Sequence, residues 1–195
     1  MSILVLTSDT LIGTPATGNL EYNGQFFGTD SNASRAQLQR ITQGTAVAST
    51  SGTSIDFTGL PAWVKRLTVM LNGVSTSGTS SLLVQLGDSG GIENTGYIST
   101  SITDDTGGGS LGTSSTAGFV YYQDQPSYVG YGIITIVLVS GNIWVSSHTG
   151  RMTTTNVVTG GGGKTLSDTL DRVRITTVNG TDTFDAGTVN ILYEG

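Results

Sequence analysis

The feature that most constrains the fold of this chain is the stretch 63–74, in which the side chains change character at every second position. Large apolar residues hold one set of alternate positions: Trp63, Leu67, Val69 and Leu71. A period of two is typical of a β-strand with one buried face. The Asn72-Gly73 pair favours positive φ angles, so we expect a hairpin turn to end the strand there. The rest of the chain must supply a second apolar layer to cover the buried face.

The remaining sequence is typical of many short strands. Only 11% of the 195 residues are charged, and 29 are glycine. Gly and Ser favour turns, whereas Thr and the β-branched apolar residues favour strands. Strands are expected at 54–57, 63–72, 82–87, 96–101, 118–122, 132–140, 143–147, 151–158, 170–178 and 188–194, with glycine-rich turns at 107–109 and 160–163 between them. The fold class that we predict is all-β, a jelly-roll-like antiparallel β-sandwich.

Within one predicted strand, the run from Ile133 to Val139 is apolar on both faces. A strand that is covered on both sides has this composition, and so does a strand at a subunit interface. Both explanations stay open at the level of sequence.

The first 43 residues differ from the rest, because they contain too little apolar mass for a core of their own. We expect a small hairpin at 19–27 with its turn at Asn23-Gly24. Residues 30–34 have the composition of a helix cap, which predicts a short helical turn over 35–41. Residues 1–6 are apolar but lack the basic flank of a signal peptide. We therefore predict an N-terminal arm or attachment module at 1–43, followed by a β-sandwich knob at 44–195.

The charge balance argues against several classes of partner and cofactor. The formal net charge is −6, with only eight Lys and Arg residues. Nucleic acids and anionic membrane surfaces both attract basic faces, so we expect neither as a partner. The chain has no cysteine, which excludes disulfides and thiol catalysis. No cofactor is expected.

One stretch resembles a catalytic loop without the chemistry that the loop needs. The sequence Gly87-Asp-Ser-Gly-Gly91 is similar to the nucleophile loop of chymotrypsin-like proteases, but the only histidine, His148, follows Ser89 instead of preceding it. The order Ser89, Asp124, His148 would suit an α/β-hydrolase, which needs a helix directly after the serine. No helix is predicted there, so we expect a hairpin loop and a protein that is not an enzyme.

A second stretch, Gly-Gly-Gly-Gly-Lys-Thr at 160–165, resembles an incomplete phosphate-binding loop. The full pattern places a glycine where this chain has Val158, and it continues into a helix that binds the phosphate with its first amide groups. A short polar segment that leads into a strand follows instead. We therefore expect a flexible loop at 160–165.

Two further groups of residues are candidate ligand sites. Asp182 and Asp185 lie in one polar loop and are candidate ligands of Ca²⁺, which binds carboxylate oxygens. The alternative is a solvated hairpin loop. A cluster of tyrosines offers flat faces and hydroxyl groups, which suit sugar rings and protein interfaces as well as a sandwich core. Its members are Tyr121, Tyr122, Tyr128 and Tyr131.

Several stretches resemble structural proteins of tailed bacteriophages. Ala16-Thr-Gly-Asn-Leu-Glu-Tyr-Asn-Gly-Gln-Phe-Phe27, followed by Ser31-Asn-Ala-Ser-Arg35, is similar to a small module that recurs in phage virion proteins. Asn23 stands where that module usually has Asp, and Phe27 stands where it usually has Tyr. Stretches 54–74, 85–93 and 170–187 resemble a β-rich domain of tail-fibre-like proteins. These stretches surround the middle region, 102–163, which has no such resemblance.

The resemblance implies a non-enzymatic homotrimer on the virion surface, made in the host cytoplasm and attached to other virion proteins of the capsid or tail. A head-decoration (cement) protein or a short fibre fits this description best. A tail-fibre tip that recognises host-surface glycan is the alternative, and a glycan-cleaving enzyme is a remote one. Candidate anchoring or trimer-interface residues are Leu4, Leu6, Leu20, Tyr22, Phe26, Phe27, Arg35 and Leu38.

Overall fold

The computed structural model describes residue 14 and residues 18–22, 26–30, 32 and 34–195. These residues form an all-β protein with 0% helix and antiparallel sheets. The chain divides into two compact units, Met1–Arg40 and Ile41–Gly195. The strands are β1 Leu20–Tyr22, β2 Phe26–Thr29, β3 Arg35–Gln37, β4 Ile41–Gln43, β5 Val47–Ala48, β6 Ile55–Thr58, β7 Arg66–Thr76, β8 Leu82–Asp88, β9 Gly91–Ile92, β10 Tyr97–Asp105, β11 Gly109–Ser115, β12 Phe119–Tyr121, β13 Gly130–Ser140, β14 Ile143–Arg151, β15 Asn156–Thr165, β16 Arg172–Thr177 and β17 Phe184–Glu194.

The first unit contains a three-stranded sheet in the order β1-β2-β3. The predicted hairpin is confirmed by the pairing of β1 with β2, and its turn at Asn23-Gly24 lies outside the described residues. The predicted helical turn over 35–41 is wrong, because residues 35–37 form β3. The side chain of Asp30 accepts hydrogen bonds from the backbone N–H groups of Asn32 and Ser34, both at 2.9 Å. The cap-like sequence therefore closes a turn between two strands.

The second unit contains two sheets. Eight strands of the larger sheet follow the order β11-β10-β15-β14-β13-β7-β17-β4, and β5 also pairs with β17. The smaller sheet has the order β12-β8-β16-β6, and β9 pairs with β8.

The two sheets share one hydrophobic core. Leu67, Val69 and Leu71 of β7 are buried, as the alternation over 63–74 predicts. The predicted second apolar layer comes from β8 and β16 of the smaller sheet, and its members include Val84, Leu86, Val173 and Ile175. Burial of such side chains contributes about 1.5–3 kcal/mol each, which makes this shared core the main stabilising feature of the unit.

The predicted hairpin turn at Asn72-Gly73 is wrong, because β7 runs through both residues to Thr76. Gly73 does have a positive φ of 68°. The register with β13 shifts at this point, since Gly130 pairs with Val74 while Tyr131 pairs with Asn72. The glycine therefore forms a β-bulge, which requires the same positive φ as the hairpin turn that was predicted.

The glycine run 160–163 lies inside a strand, so the predicted turn and flexible loop are wrong there. Strand β15 pairs along its length with β10 on one side and with β14 on the other. A Cβ on Gly160 would lie 2.3 Å from the carbonyl oxygen of Thr100, and one on Gly162 would lie 2.4 Å from that of Ile98. Glycine is required because the neighbouring backbone approaches too closely for any side chain. Backbone groups used in this ladder cannot also cradle a phosphate.

Serine side chains connect the two sheets at one end of the core. The backbone N–H group of Val120, in β12, donates to Ser99 Oγ at 2.9 Å. The backbone N–H group of Tyr122, which directly follows β12, donates to Ser101 Oγ at 3.1 Å. The buried ring of His148 lies with Nε2 2.9 Å from Ser101 Oγ. Burial of this imidazole lowers the pKa of His148 to about 4.

A buried ion pair stabilises the edge of the same region. Lys164, which is 6% exposed, pairs with Glu93, and its ammonium group also donates to the carbonyl oxygen of Thr95 at 2.9 Å. Burial alone would raise the pKa of Glu93, but hydrogen bonds from Lys164 and Ser167 outweigh it and hold that pKa below its usual value.

The substitution Glu93→Gln is expected to lower the free energy of unfolding by about 2 kcal/mol, because it leaves the Lys164 ammonium buried without its counter-charge. Asp56→Asn breaks the more exposed pair with Arg174 and is expected to lower it by less than about 1 kcal/mol. Urea unfolding of both variants tests this. Equal losses would contradict the account of the buried pair.

Candidate interaction face of the large sheet

The larger sheet has one side on the core, and the other side is called here the outer face. It consists of the side chains that alternate with core residues on β10, β15, β14, β13, β7 and β17. Strand register places them in rows that cross the sheet. The first row is Ile98, Gly163, Val145, Val137, Arg66 and Glu194. The second row is Thr100, Gly161, Ser147, Thr135, Thr68 and Leu192. The third row is Ile102, Thr159, Thr149, Ile133, Met70 and Asn190.

Large apolar side chains are exposed across this face. Ile98 is 81% exposed, Ile133 is 53% exposed and Val139 is 60% exposed. The sequence prediction that Ile133 to Val139 is apolar on both faces is confirmed, because Ile134 and Ile136 of the same strand are buried in the core. Among the described residues, only one side of β13 is covered. The exposed apolar side chains lie mainly in the first and third rows, and the second row between them consists largely of threonine, serine and glycine.

Four charged residues occur in the described rows. Arg66 pairs with Glu194 at the end of the first row. A fourth row, which begins with Asp104 and Val157, continues with Arg151 and Tyr131. The two arginines and two carboxylates of these rows balance, while the whole chain carries −6.

The side of the smaller sheet that faces away from the core carries polar side chains. Arg174 donates to both carboxylate oxygens of Asp56, at 2.7 Å each, and Gln85 Nε2 donates to the carbonyl oxygen of Ala117 at 2.9 Å. Arg172 pairs with Asp171 on the adjoining segment. The two outer surfaces of this unit therefore differ in apolar content, since the outer face of the large sheet exposes Ile98, Ile102 and Ile133, whereas Arg172 and Arg174 form ion pairs on the smaller sheet.

Of the four tyrosines predicted as a ligand platform, two are buried. Tyr121 is 1% exposed, and its hydroxyl donates to the carbonyl oxygen of Tyr131 at 3.1 Å. Tyr122 is 6% exposed, and its hydroxyl donates to the Asp124 carboxylate at 2.8 Å. Burial raises the pKa of both phenols. Tyr128 is partly buried against the core. Tyr131 is 42% exposed, and the Arg151 guanidinium lies 5.3 Å from its ring centroid.

Tyr131 and Arg151 border a shallow depression on the outer face. Its floor and walls also include Met70, Ile133, Thr149 and Val157. The depression is therefore mainly apolar with one cationic group at its rim.

The residues of the hydrolase-like motif are not brought together. Ser89 lies in the exposed turn between β8 and β9, whereas His148 is buried against Ser101 and Asp124 accepts the Tyr122 hydroxyl. Asp182 accepts hydrogen bonds from Asn179 and from the Ser80 backbone, and Asp185 pairs separately with the Ser75 hydroxyl. Within the described residues, no group of three or more His, Cys, Asp or Glu side chains could hold a metal ion.

The predicted anchoring residues divide between the two faces of the small N-terminal sheet. Register places Leu20, Tyr22 and Phe26 on one face, and the Tyr22 and Phe26 rings lie 5.0 Å apart. Leu38, which is 50% exposed, lies 3.6 Å from where a Cβ on Gly28 would stand, on the same face. Phe27 has the opposite orientation, and Arg35 pairs with Thr29 at the start of β3. Leu4 and Leu6 lie outside the described residues.

Sequence reasoning missed most of the outer face, although one signal was present. Residues 97–105 alternate, with Ile98 and Ile102 opposite Ser99 and Ser101. The serines look like the solvent side of such a strand, but they are the buried side, because their hydroxyl groups satisfy the backbone of the neighbouring β12.

A scan against models of protein families found no match, and searches of curated proteins and of solved structures returned no significant match either. No helix long and apolar enough to cross a membrane occurs among the residues that the structure describes.

Proposed function

We propose that this protein is a non-enzymatic structural protein of a tailed-bacteriophage virion. Three copies assemble on the particle surface, and the N-terminal arm attaches them to another virion protein. The role we favour is that of a head-decoration (cement) protein or a short fibre. The protein is made in the host cytoplasm and is then incorporated into the virion. The resemblance of stretches 16–35, 54–74, 85–93 and 170–187 to phage structural proteins supports the virion context.

The observation that carries the proposal is the contrast between the two outer surfaces of the second unit. Burial of apolar surface is the main driving force of association, while ion pairs in water contribute little. The outer face with its exposed isoleucine side chains therefore suits contact with another protein, and the surface with the Arg174–Asp56 pair suits solvent. A homo-oligomer would cover the first and leave the second exposed.

The finer architecture belongs to the same proposal. Two antiparallel sheets that share a core fit a jelly-roll-like β-sandwich, with the N-terminal residues as an extended arm. Assembly would also cover sheet edges, which otherwise invite pairing with foreign strands.

Deletion of residues 1–40 is expected to abolish attachment to the particle and to leave the second unit folded. The cut precedes β4, which pairs with β17 and belongs to the second unit. Co-sedimentation with purified virions measures attachment, and circular dichroism checks the fold of the truncated chain. Full attachment of the truncated protein would contradict the role of the arm. Gel densitometry of the virions separates decoration, with many copies, from a fibre, with few.

A second candidate function is recognition of host-surface glycan, as in a tail-fibre tip. The exposed Tyr131 ring next to Arg151 favours it, because aromatic faces stack on sugar rings. Binding on a glycan array that Tyr131→Ala abolishes would support this candidate, and the substitution Tyr193→Ala at a ring packed against Trp63 is the matched control.

A further inference from the structure

We propose that the outer face of the large sheet binds a second copy of this chain, with Ile98 of one copy filling a groove above Gly163 of the other. This inference deepens the proposed function and rests on its homo-oligomer. It identifies the contacting surface and two positions that face each other across the interface.

Within the part of the chain that the structure describes, no neighbouring group requires Gly163 to be glycine. A Cβ at this position would meet only the carbonyl oxygen of Trp144, at 3.8 Å, and the backbone is not in the positive-φ region. Its neighbours Gly160 and Gly162 are different, because a Cβ on either would overlap backbone atoms. Glycine within a strand lowers stability by about 0.5–1 kcal/mol relative to alanine. The open space at Gly163 is thus available to a group from outside the chain.

The two strands beside β15 turn that space into a groove. Ile98 of β10 and Val145 of β14 are the direct cross-strand neighbours of Gly163, and both project from the outer face. Ile98 is 81% exposed, the largest exposed fraction among the apolar residues of this face, whereas Val145 is 44% exposed. A ridge and a groove therefore lie side by side. Two copies that meet through this surface can place the ridge of each over the groove of the next.

The size of the face matches that of a protein interface. Six strands about 4.8 Å apart and four rows about 6.8 Å apart give a footprint of roughly 490 Å². Val139 and Ile143 extend the face at the hairpin end of β13 and β14. A standard interface buries about 800 Å² on each partner. The face is large enough for more than half of such a contact.

The charge of the face is compatible with a second copy as the partner. A chain with net charge −6 repels its own copies through most of its surface. In the four rows of the outer face, Arg66 and Arg151 balance Glu194 and Asp104, so these rows repel a second copy less than the rest of the surface does. Both partners present the same surface, as self-association requires. A contact between different positions, Ile98 and Gly163, permits either a two-fold pair or a closed ring of three.

Cysteine cross-linking tests the contact directly, because the natural chain has no cysteine. One chain carries Ile98→Cys and a second, of different tag length, carries Gly163→Cys, and the two are mixed and oxidised. We expect a mixed disulfide between the two chains as the main product. The control replaces Ile98→Cys with Val178→Cys, which is 50% exposed but lies beyond β16, away from the outer face. Mixed product no greater than with the Val178 control would overturn the contact.

A second variant does not depend on disulfide geometry. Ile98→Asp places a charge in the proposed groove and is expected to weaken association at least tenfold, since an isoleucine side chain leaves its buried site. The fold should be unchanged, because the native side chain is mostly in solvent. Undiminished association of Ile98→Asp would overturn the inference.

The mass of the wild-type protein separates this inference from the proposed function. A trimer without Ile98–Gly163 cross-links would overturn the inference and leave the proposed function in place. A dimer with the cross-links would support the inference and overturn the homotrimer. A monomer at micromolar concentration would overturn both.

Discussion

Gly160→Ala is expected to lower the free energy of unfolding by about 3 kcal/mol or more. The added Cβ would lie 2.3 Å from the carbonyl oxygen of Thr100 and 2.5 Å from Cε1 of the buried His148 ring. Overpacking of this kind usually costs about 1–3 kcal/mol, and more when the neighbour is backbone that cannot move. Both neighbours belong to strands paired directly with β15, so relief would require the ladder to separate.

The matched control is Gly109→Ala at the start of β11, where no atom lies within 4 Å of the added Cβ. We expect that variant to match or slightly exceed the stability of the natural protein, since alanine restricts the unfolded chain. In a chain of this size, 3 kcal/mol corresponds to a fall in Tm of about 10 °C. Thermal melts at one fixed protein concentration measure both variants. Similar Tm values for the two would show that β15 is not packed as described.

Acidification is expected to remove about 3 kcal/mol of stability between pH 6.5 and pH 4 through His148 alone. Burial lowers the pKa of this imidazole from 6.5 to about 4 in the folded protein. In that interval the unfolded chain binds a proton that the folded chain does not, so stability rises with pH there. The contribution is complete above pH 6.5 and is lost as pH falls toward 4. Each unit of pKa difference corresponds to about 1.4 kcal/mol.

The carboxylates act in a different pH range. The pKa of Asp88 is lowered by hydrogen bonds from Ser167 and Gly90, and that of Glu93 is also below its usual value. Their contributions are therefore lost only at lower pH than that of His148. The single imidazole gives one resolvable NMR titration, and its midpoint should lie near pH 4. A midpoint near 6.5, or an unchanged pH dependence in His148→Leu, would contradict a buried neutral ring.

Sequence alone predicted the parts of the fold in which pattern and burial coincide. Strand β7 alternates, and its apolar positions Leu67, Val69 and Leu71 are the buried ones. Strand β13 is apolar on both faces, with Ile134 and Ile136 buried and Ile133 and Val139 exposed, and a partner for the exposed side stays a prediction. In both strands the side chains that determine the structure are large and apolar, so hydrophobic periodicity is a direct signal.

The regions that the sequence misrepresented are built from glycine and serine. Strand β15 contains four successive glycines, which local preferences assign to a loop, and β11 has almost no apolar side chain. Both form because neighbouring strands supply hydrogen-bonding partners, which is a property of the assembled sheet. Asn72-Gly73 and Asp30 were also misinterpreted from local sequence. Asn72-Gly73 favours positive φ angles, which occur in bulges as well as in turns, and the Asp30 side chain can accept backbone hydrogen bonds in a turn as well as at a helix cap.

The candidate interaction face could be predicted only in part. Its exposed isoleucines are visible in the sequence, but their membership of one surface depends on the pairing of six strands that come from distant parts of the chain. The predicted tyrosine cluster shows the opposite case, in which residues close in sequence have different surroundings. Tyr121 is buried in the fold, whereas Tyr131 is exposed.

The central claim is that the apolar outer face is covered by copies of the same chain, and the mass of the full-length protein in solution tests it most directly. Multi-angle light scattering at micromolar concentration is expected to give about three times the chain mass of 20.1 kDa. The same measurement on Ile98→Asp should shift the protein toward the single-chain mass. A wild-type protein that stays at 20.1 kDa would contradict the account.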